Sequence, residues 1–275
     1  MRALLLLALA AQPDGGIDGG VPYFVDAGTP LTPAMDAVAH TTKRELVKQL
    51  LDDGQHIRFG TDDKGPVNVW RPATYRPEGA ILIVYVHGFY NNADSAFLEH
   101  HLSEQFRDSG RNALFVVPEA PSWRTDDVIW KDLDELLDAV EKNAKVPMPK
   151  GPVWVIAHSG AYRTAASWLK NPKIERVVLL DALYSADDDF RAWVNGADGG
   201  THRLTVVGYD TAQRVEWFLR KQPTAVRLDD LPFLYDGLKP SQAAATLLYV
   251  QSERFGHMEL VTSGRVLPLL IHSLK

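Results

Sequence analysis

Cysteine is absent from all 275 residues. Disulfides, thiolate metal sites and a cysteine nucleophile are therefore excluded, while the compartment stays open because exported proteins can lack cysteine too. Positive charge is not in excess either: 29 Lys and Arg stand against 35 Asp and Glu, a net charge of −6. Nucleic-acid binders concentrate Lys and Arg on one face, so no nucleic-acid partner is expected. The N-terminal apolar run, Ala3–Ala11, falls far short of the roughly 20 residues that span a bilayer, so no stable membrane span is expected. No phosphate-cradling glycine loop of the P-loop or dinucleotide kind occurs, and no acidic or histidine group has the spacing of a metal site. Hence no cofactor and no metal is expected. What is present is ordinary for a globular chain with a substantial core: 45% hydrophobic and 23% charged residues.

Met1-Arg2 followed by Ala3–Ala11, with small Ala8 and Ala10, has the form of a short secretory signal cleaved near Ala10 or Ala11. The expectation is an exported protein, periplasmic or secreted. Residues 12–33 are rich in Gly, Asp and Pro without periodicity and read as a flexible leader. Residues 34–275 then read as one domain. Helical spacing runs over Ala34–Leu51 and stops at Asp52-Asp53-Gly54. Short apolar strands follow at Val67–Trp70, Ala80–Val86, Ala113–Val117, Val153–Ala157, Arg176–Leu180, Leu204–Val207 and Thr246–Val250. Helices fit between them at Ser95–Arg107, Asp126–Asn143, Ala161–Leu169, near Phe190–Val194, Ala212–Lys221 and finally Met258–Leu274. Alternation of this kind predicts an α/β fold with a mostly parallel sheet covered on both faces. Residues 222–242, with three prolines, are the least regular stretch and read as a surface excursion or lid.

Three places just past predicted strand ends carry candidate chemistry, where open α/β sheets build their sites. Ala157-His158-Ser159-Gly160-Ala161 has the form of a nucleophile elbow, whose sharp turn demands small flanking residues. Both flanks are Ala where Gly is commoner, and His158 is expected to be structural. Val86-His87-Gly88-Phe89 ends the strand Ala80–Val86. Acyl transfer needs two N–H donors aimed at a developing oxyanion, and the backbone N–H groups of Phe89 and Gly160 are the candidates. Phe255-Gly256-His257-Met258 follows the last strand, and His257 is the one of nine histidines late in the chain, past a strand end and after Gly. An imidazole suits the task of taking a serine proton near neutral pH. His100-His101 beside Glu99 reads as a solvated helix face, and Asp187-Asp188-Asp189 as a helix N-terminus. Tyr90, Tyr162 and Tyr184 are candidates to line an acyl or sugar pocket.

In this order the strings resemble the α/β-hydrolase superfamily, over about Val67 to Lys275. The runs His87-Gly88-Phe89-Tyr90-Asn91-Asn92, His158-Ser159-Gly160-Ala161-Tyr162-Arg163 and Asp181-Ala182-Leu183-Tyr184 look like those of bacterial esterase-like members. The resemblance implies the α/β-hydrolase fold, Ser159 as nucleophile, His257 as general base and then acid, and Phe89 and Gly160 as the oxyanion hole. The acid of the triad has two candidates. Asp181 ends the strand Arg176–Leu180 and Asp210 follows Leu204–Val207; Asp181 is preferred for its more distinctive local string. The expected partner is a small-molecule or envelope-derived carboxylic ester. An amide substrate, or a non-catalytic binding role for the same fold, is the alternative.

Overall fold

The computed structural model describes residues 53–61, 63–196, 202–233 and 236–275. The expected signal, leader and first helix, Ala34–Leu51, lie outside the described residues. The strands are β1 (Gly54–Thr61), β2 (Gly65–Pro72), β3 (Ile81–Val86), β4 (Ala113–Pro118), β5 (Val153–His158), β6 (Ile174–Leu180), β7 (Arg203–Gly208), β8 (Val226–Leu228) and β9 (Leu247–Gln251). The helices are α1 (Ala93–Glu99), α2 (Leu102–Asp108), α3 (Leu133–Ala144), α4 (Tyr162–Trp168), α5 (Asp187–Asn195), α6 (Ala212–Leu219), α7 (Pro240–Ala243), α8 (Glu259–Thr262) and α9 (Val266–Ser273). A single 3₁₀ turn, Ser159–Ala161, joins β5 to α4.

The strands form one sheet in the order β1-β2-β4-β3-β5-β6-β7-β9-β8. β1 and β2 pair antiparallel, β2 pairs antiparallel with β4, and every pairing from β4 to β8 is parallel. Central strands read as continuous apolar runs because side chains alternate between two covered faces. Leu82, Val84, Val155, Val177 and Leu179 pack on one side with Leu136 of α3, Trp168 of α4, Phe190 of α5 and Phe218 of α6. Ile83, Tyr85, Ile156, Val178 and Leu180 face the other side, toward Phe97 of α1, Phe106 of α2 and Leu270 of α9. The register runs Val86 opposite Ala157, His158 opposite Leu180, Leu180 opposite Val207 and Gly208 opposite Gln251. The carboxyl ends of β3, β5, β6, β7 and β9 thus stand side by side along one rim.

Several elements differ from the sequence expectation. β1 was not expected: its polar alternation, with only Ile57 and Phe59 turned to the core, is that of an edge strand and weak as a signal. The helix expected over Ser95–Arg107 is two helices, broken where His101 takes a left-handed φ of 49°. That turn carries His100 inward, so it is buried rather than on a solvated face. The helix expected from Asp126 begins only at Leu133, with Asp132 as its cap accepting the Asp134 N–H at 2.9 Å. The last helix is interrupted at Gly264, whose φ is +68°. Within 222–242, Val226–Leu228 closes the sheet edge as β8 and Pro240–Ala243 forms α7. The Asp187–Asp189 run does open a helix, where acidic side chains oppose the positive end of the helix dipole.

Leu179 lies fully buried in β6, between the helices of one face. Leu179→Ala should lower the unfolding free energy by about 2–5 kcal/mol, read as a lower urea midpoint with an unchanged slope.

Candidate active site

Each element ends by delivering one group to the same rim. β5 ends at His158, and Ser159 follows with a φ of 54° in the left-handed region. A non-glycine residue there is held against its own preference by its surroundings. Space around it is tight. A Cβ at Gly88 would lie 2.7 Å from the Ser159 Cβ, and one at Gly160 would lie 2.4 Å from the Phe89 ring. Glycine at both positions lets the turn after β3 close onto the elbow after β5.

That turn is aimed by His87, which is fully buried. His87 Nδ1 lies 2.9 Å from the Gly88 carbonyl oxygen, while Nε2 meets both the Ala120 N–H at 3.1 Å and Glu119 Oε1 at 3.2 Å. A trans peptide points its C=O and N–H in opposite directions, so holding the Gly88 carbonyl toward His87 sends the Phe89 N–H away from it. No hydrogen bond among the described residues uses that N–H. The Gly160 N–H opens the 3₁₀ turn, a position without an intrahelical acceptor.

Asp181 follows β6 with a φ of 46° and is fully buried. Its Oδ1 accepts the Tyr209 N–H at 2.9 Å, the Thr211 N–H at 2.8 Å and the Thr211 hydroxyl at 2.7 Å. Its Oδ2 accepts the Asp210 N–H at 3.2 Å and lies 2.6 Å from His257 Nδ1. Burial by itself would push this carboxyl up, but the bonds from His257, Thr211 and Tyr209 outweigh it and hold it well below the usual carboxylate range. Asp210 stands 3.8 Å from His257 Nδ1 with its side chain 56% exposed, against 0% for Asp181. The three groups lie close enough to suggest a cation site. However, the lone pairs of Asp181 are already taken by five donors and the near nitrogen of His257 is one of them, so this set does not suit a metal.

His158 is buried, and its Nε2 donates to the His257 carbonyl oxygen at 3.1 Å. The two rings lie 4.7 Å apart between centroids. Burial, reinforced by His257, pushes the His158 imidazole down to about 3. Burial, reinforced by His87 and His101, pushes His100 down to about 4. Both are neutral at ordinary pH. His100 is held at 3.1 Å from the Tyr85 hydroxyl and 3.3 Å from Asn91 Nδ2. Sequence reasoning missed His100 because an adjacent His pair on a helix gives no sign that the helix breaks there.

Ser159, Gly160, Phe89 and His257 line one cavity of about 680 Å³, together with His100, Arg124 and all three expected tyrosines. None of the described residues in 222–242 lines it. Among the described residues no helix is long and apolar enough to cross a membrane.

The depressed carboxyl of Asp181 has a consequence for stability. The unfolded chain takes up this proton near pH 3.9, the folded chain only lower, so the ionised form stabilises the fold in full above about pH 5. As pH falls below that the contribution is progressively lost. Wild type should therefore lose more unfolding free energy between about pH 5 and about pH 3 than Asp181→Asn, measured by chemical denaturation at each pH.

No protein-family model matches the chain, and no curated protein matches it. Solved structures do. A feruloyl esterase module from Clostridium thermocellum, complexed with sinapinate, aligns with a TM-score of 0.54 at 10% identity, covering 81% of this chain and 90% of that one. A ferulic acid esterase aligns with a TM-score of 0.51 at 12% identity, covering 80% and 97%. The esterase LipW from Mycobacterium marinum aligns with a TM-score of 0.51 at 14% identity, covering 87% of each chain. At such identity the likeness is one of architecture, and with the strand order and rim described above it shows that this chain has the α/β-hydrolase fold.

Proposed function

We propose that the protein is a serine hydrolase that cleaves carboxylic esters through an acyl-enzyme at Ser159. The observation that carries this reading is the 2.6 Å contact between the buried Asp181 carboxylate and His257 Nδ1, with the ring bordering the cavity that Ser159 enters from a left-handed turn. Preference for an ester over an amide is supported by the neighbours of like fold, which are themselves described as esterases.

In this reading the Asp181 carboxylate fixes the tautomer of His257, leaving Nε2 unprotonated and ready to act as base. Ser159 Oγ bonds to the ester carbonyl carbon while its proton passes to His257 Nε2. The carbonyl π pair moves onto oxygen, where the N–H groups of Phe89 and Gly160 receive the charge. Collapse of the tetrahedral species breaks the bond to the leaving oxygen, which takes the proton from His257. Water then repeats the sequence on the acyl-serine, giving the free acid and restoring the hydroxyl. Asp181 stays ionised throughout, which its set of donors favours. Asp210, more distant and exposed, is left with an electrostatic part only.

Two measurements test the proposal. A fluorophosphonate probe should label the wild-type chain and leave Ser159→Ala unlabelled; a folded wild type that takes no label would refute a nucleophilic serine. Asp181→Asn should lower kcat on p-nitrophenyl esters by up to about 10⁴-fold, whereas Asp210→Asn should cost less than about tenfold. Circular dichroism verifies folding of each variant, and collapse in Asp210→Asn with near-normal turnover in Asp181→Asn would reverse the assignment.

A further inference from the structure

Among the described residues no Asp or Glu lines the cavity, and its two inner histidines, His100 and His158, are neutral. Among the described lining residues one carries a permanent full charge: Arg124. It lies in the loop after β4, and that loop is fastened on two sides. On one side the Tyr90 N–H donates to the Ser122 carbonyl oxygen at 2.7 Å, and the Ser122 hydroxyl donates to the Asn91 carbonyl oxygen at 2.8 Å. The Tyr90 and Trp123 rings meet edge-on with centroids 4.9 Å apart. On the other side Arg163, from α4, donates through Nη1 to the Arg124 carbonyl oxygen at 2.9 Å. Arg124 is thus strung between the turn that bears the Phe89 N–H and the helix that begins behind Ser159.

Its guanidinium has no carboxylate partner among the described residues, although seven other arginines do. The nearest acid along the chain is Asp126, whose Oδ2 accepts the Trp123 N–H at 2.9 Å. A cation on the wall of a pocket whose lining also includes Phe89, Tyr162, Tyr184 and the neutral His100 and His158 is poised for a ligand anion. The planar fork of a guanidinium matches a carboxylate with two charge-assisted hydrogen bonds, and aromatic walls take an apolar body beside it.

Resting on the ester-hydrolase reading above, we infer that Arg124 binds an anionic group of the substrate. The ester taken at Ser159 then carries a carboxylate or comparable anion in addition to the bond that is cleaved. That anion can sit on either half of the ester, and matched substrates separate the two cases. p-Nitrophenyl hemiglutarate against p-nitrophenyl valerate places it on the acyl half; 4-acetoxybenzoate against phenyl acetate places it on the leaving half.

In one of these pairs the wild type should favour the charged member by at least about tenfold in kcat/KM, after correction for spontaneous hydrolysis, with the advantage in KM. Added salt should shrink that ratio, since the site opens to solvent. Arg124→Gln should bring the ratio of charged to neutral ester to about one or below, and Arg124→Lys should keep part of it. Thermal unfolding verifies that both variants fold. Wild type that hydrolyses the neutral esters yet favours the charged member in neither pair, or Arg124→Gln that retains the preference, overturns the inference and leaves the ester-hydrolase reading standing. Failure to hydrolyse any of the four esters, together with failure to take the fluorophosphonate label, overturns both.

Discussion

A carboxylate removed from water is stable only where donors replace the lost solvent, and Asp181 lies at the point where three strand ends can supply them. Its own residue follows β6. Tyr209, Asp210 and Thr211, from the loop after β7, give three backbone N–H groups and a hydroxyl. His257, from the loop after β9, gives the last contact. The parallel register of β6, β7 and β9 brings these segments level with one another, so the charge on Asp181 and the order of the two loops depend on each other. Removing the carboxylate leaves several inward-facing donors without an acceptor, which ties the geometry around His257 to the integrity of the sheet edge.

The opposite side of the cavity is built with backbone rather than charge. Gly88 and Gly160 allow two turns to approach within contact distance, and the positive φ of Ser159 is sustained by that enclosure. His87 orients the Gly88 peptide, His158 secures the carbonyl of His257, and the loop of Arg124 is pinned between Tyr90, Asn91 and Arg163. Burial keeps His158 and His100 uncharged, so neither competes with His257 for the field of Asp181. Little of this region is free to rearrange without breaking a hydrogen bond, which suits a site that must hold reacting groups in fixed relation.

Much of the architecture was legible because central parallel strands announce themselves. Ile81–Val86, Val153–Ala157 and Val177–Leu180 are continuous apolar runs, and each is followed at once by a polar residue: His87 after the first, His158 and then Ser159 after the second, Asp181 after the third. A two-sided apolar environment dictates the run, and the strand end dictates where polar chemistry can reach solvent. The edge hairpin was obscure for the same reason, since β1 buries little and carries no such run. Helix boundaries at His101, Asp132 and Gly264 depend on caps and left-handed turns that local propensity only weakly encodes.

The linear chain by itself determined the class of fold, the positions of the strand ends and the short set of polar residues found there, because burial periodicity and turn chemistry are local properties. It left Asp181 and Asp210 side by side as carboxylates near His257, since each follows a strand in the interval between Ser159 and His257. Tertiary structure decided their surroundings: one is sealed beneath two loops at 2.6 Å from the imidazole and the other stands in solvent at 3.8 Å. It also turned His100 inward and set Arg124 over the cavity. Those outcomes arise from contacts between residues tens of positions apart, and only the register of the sheet and the packing of its loops bring such residues together.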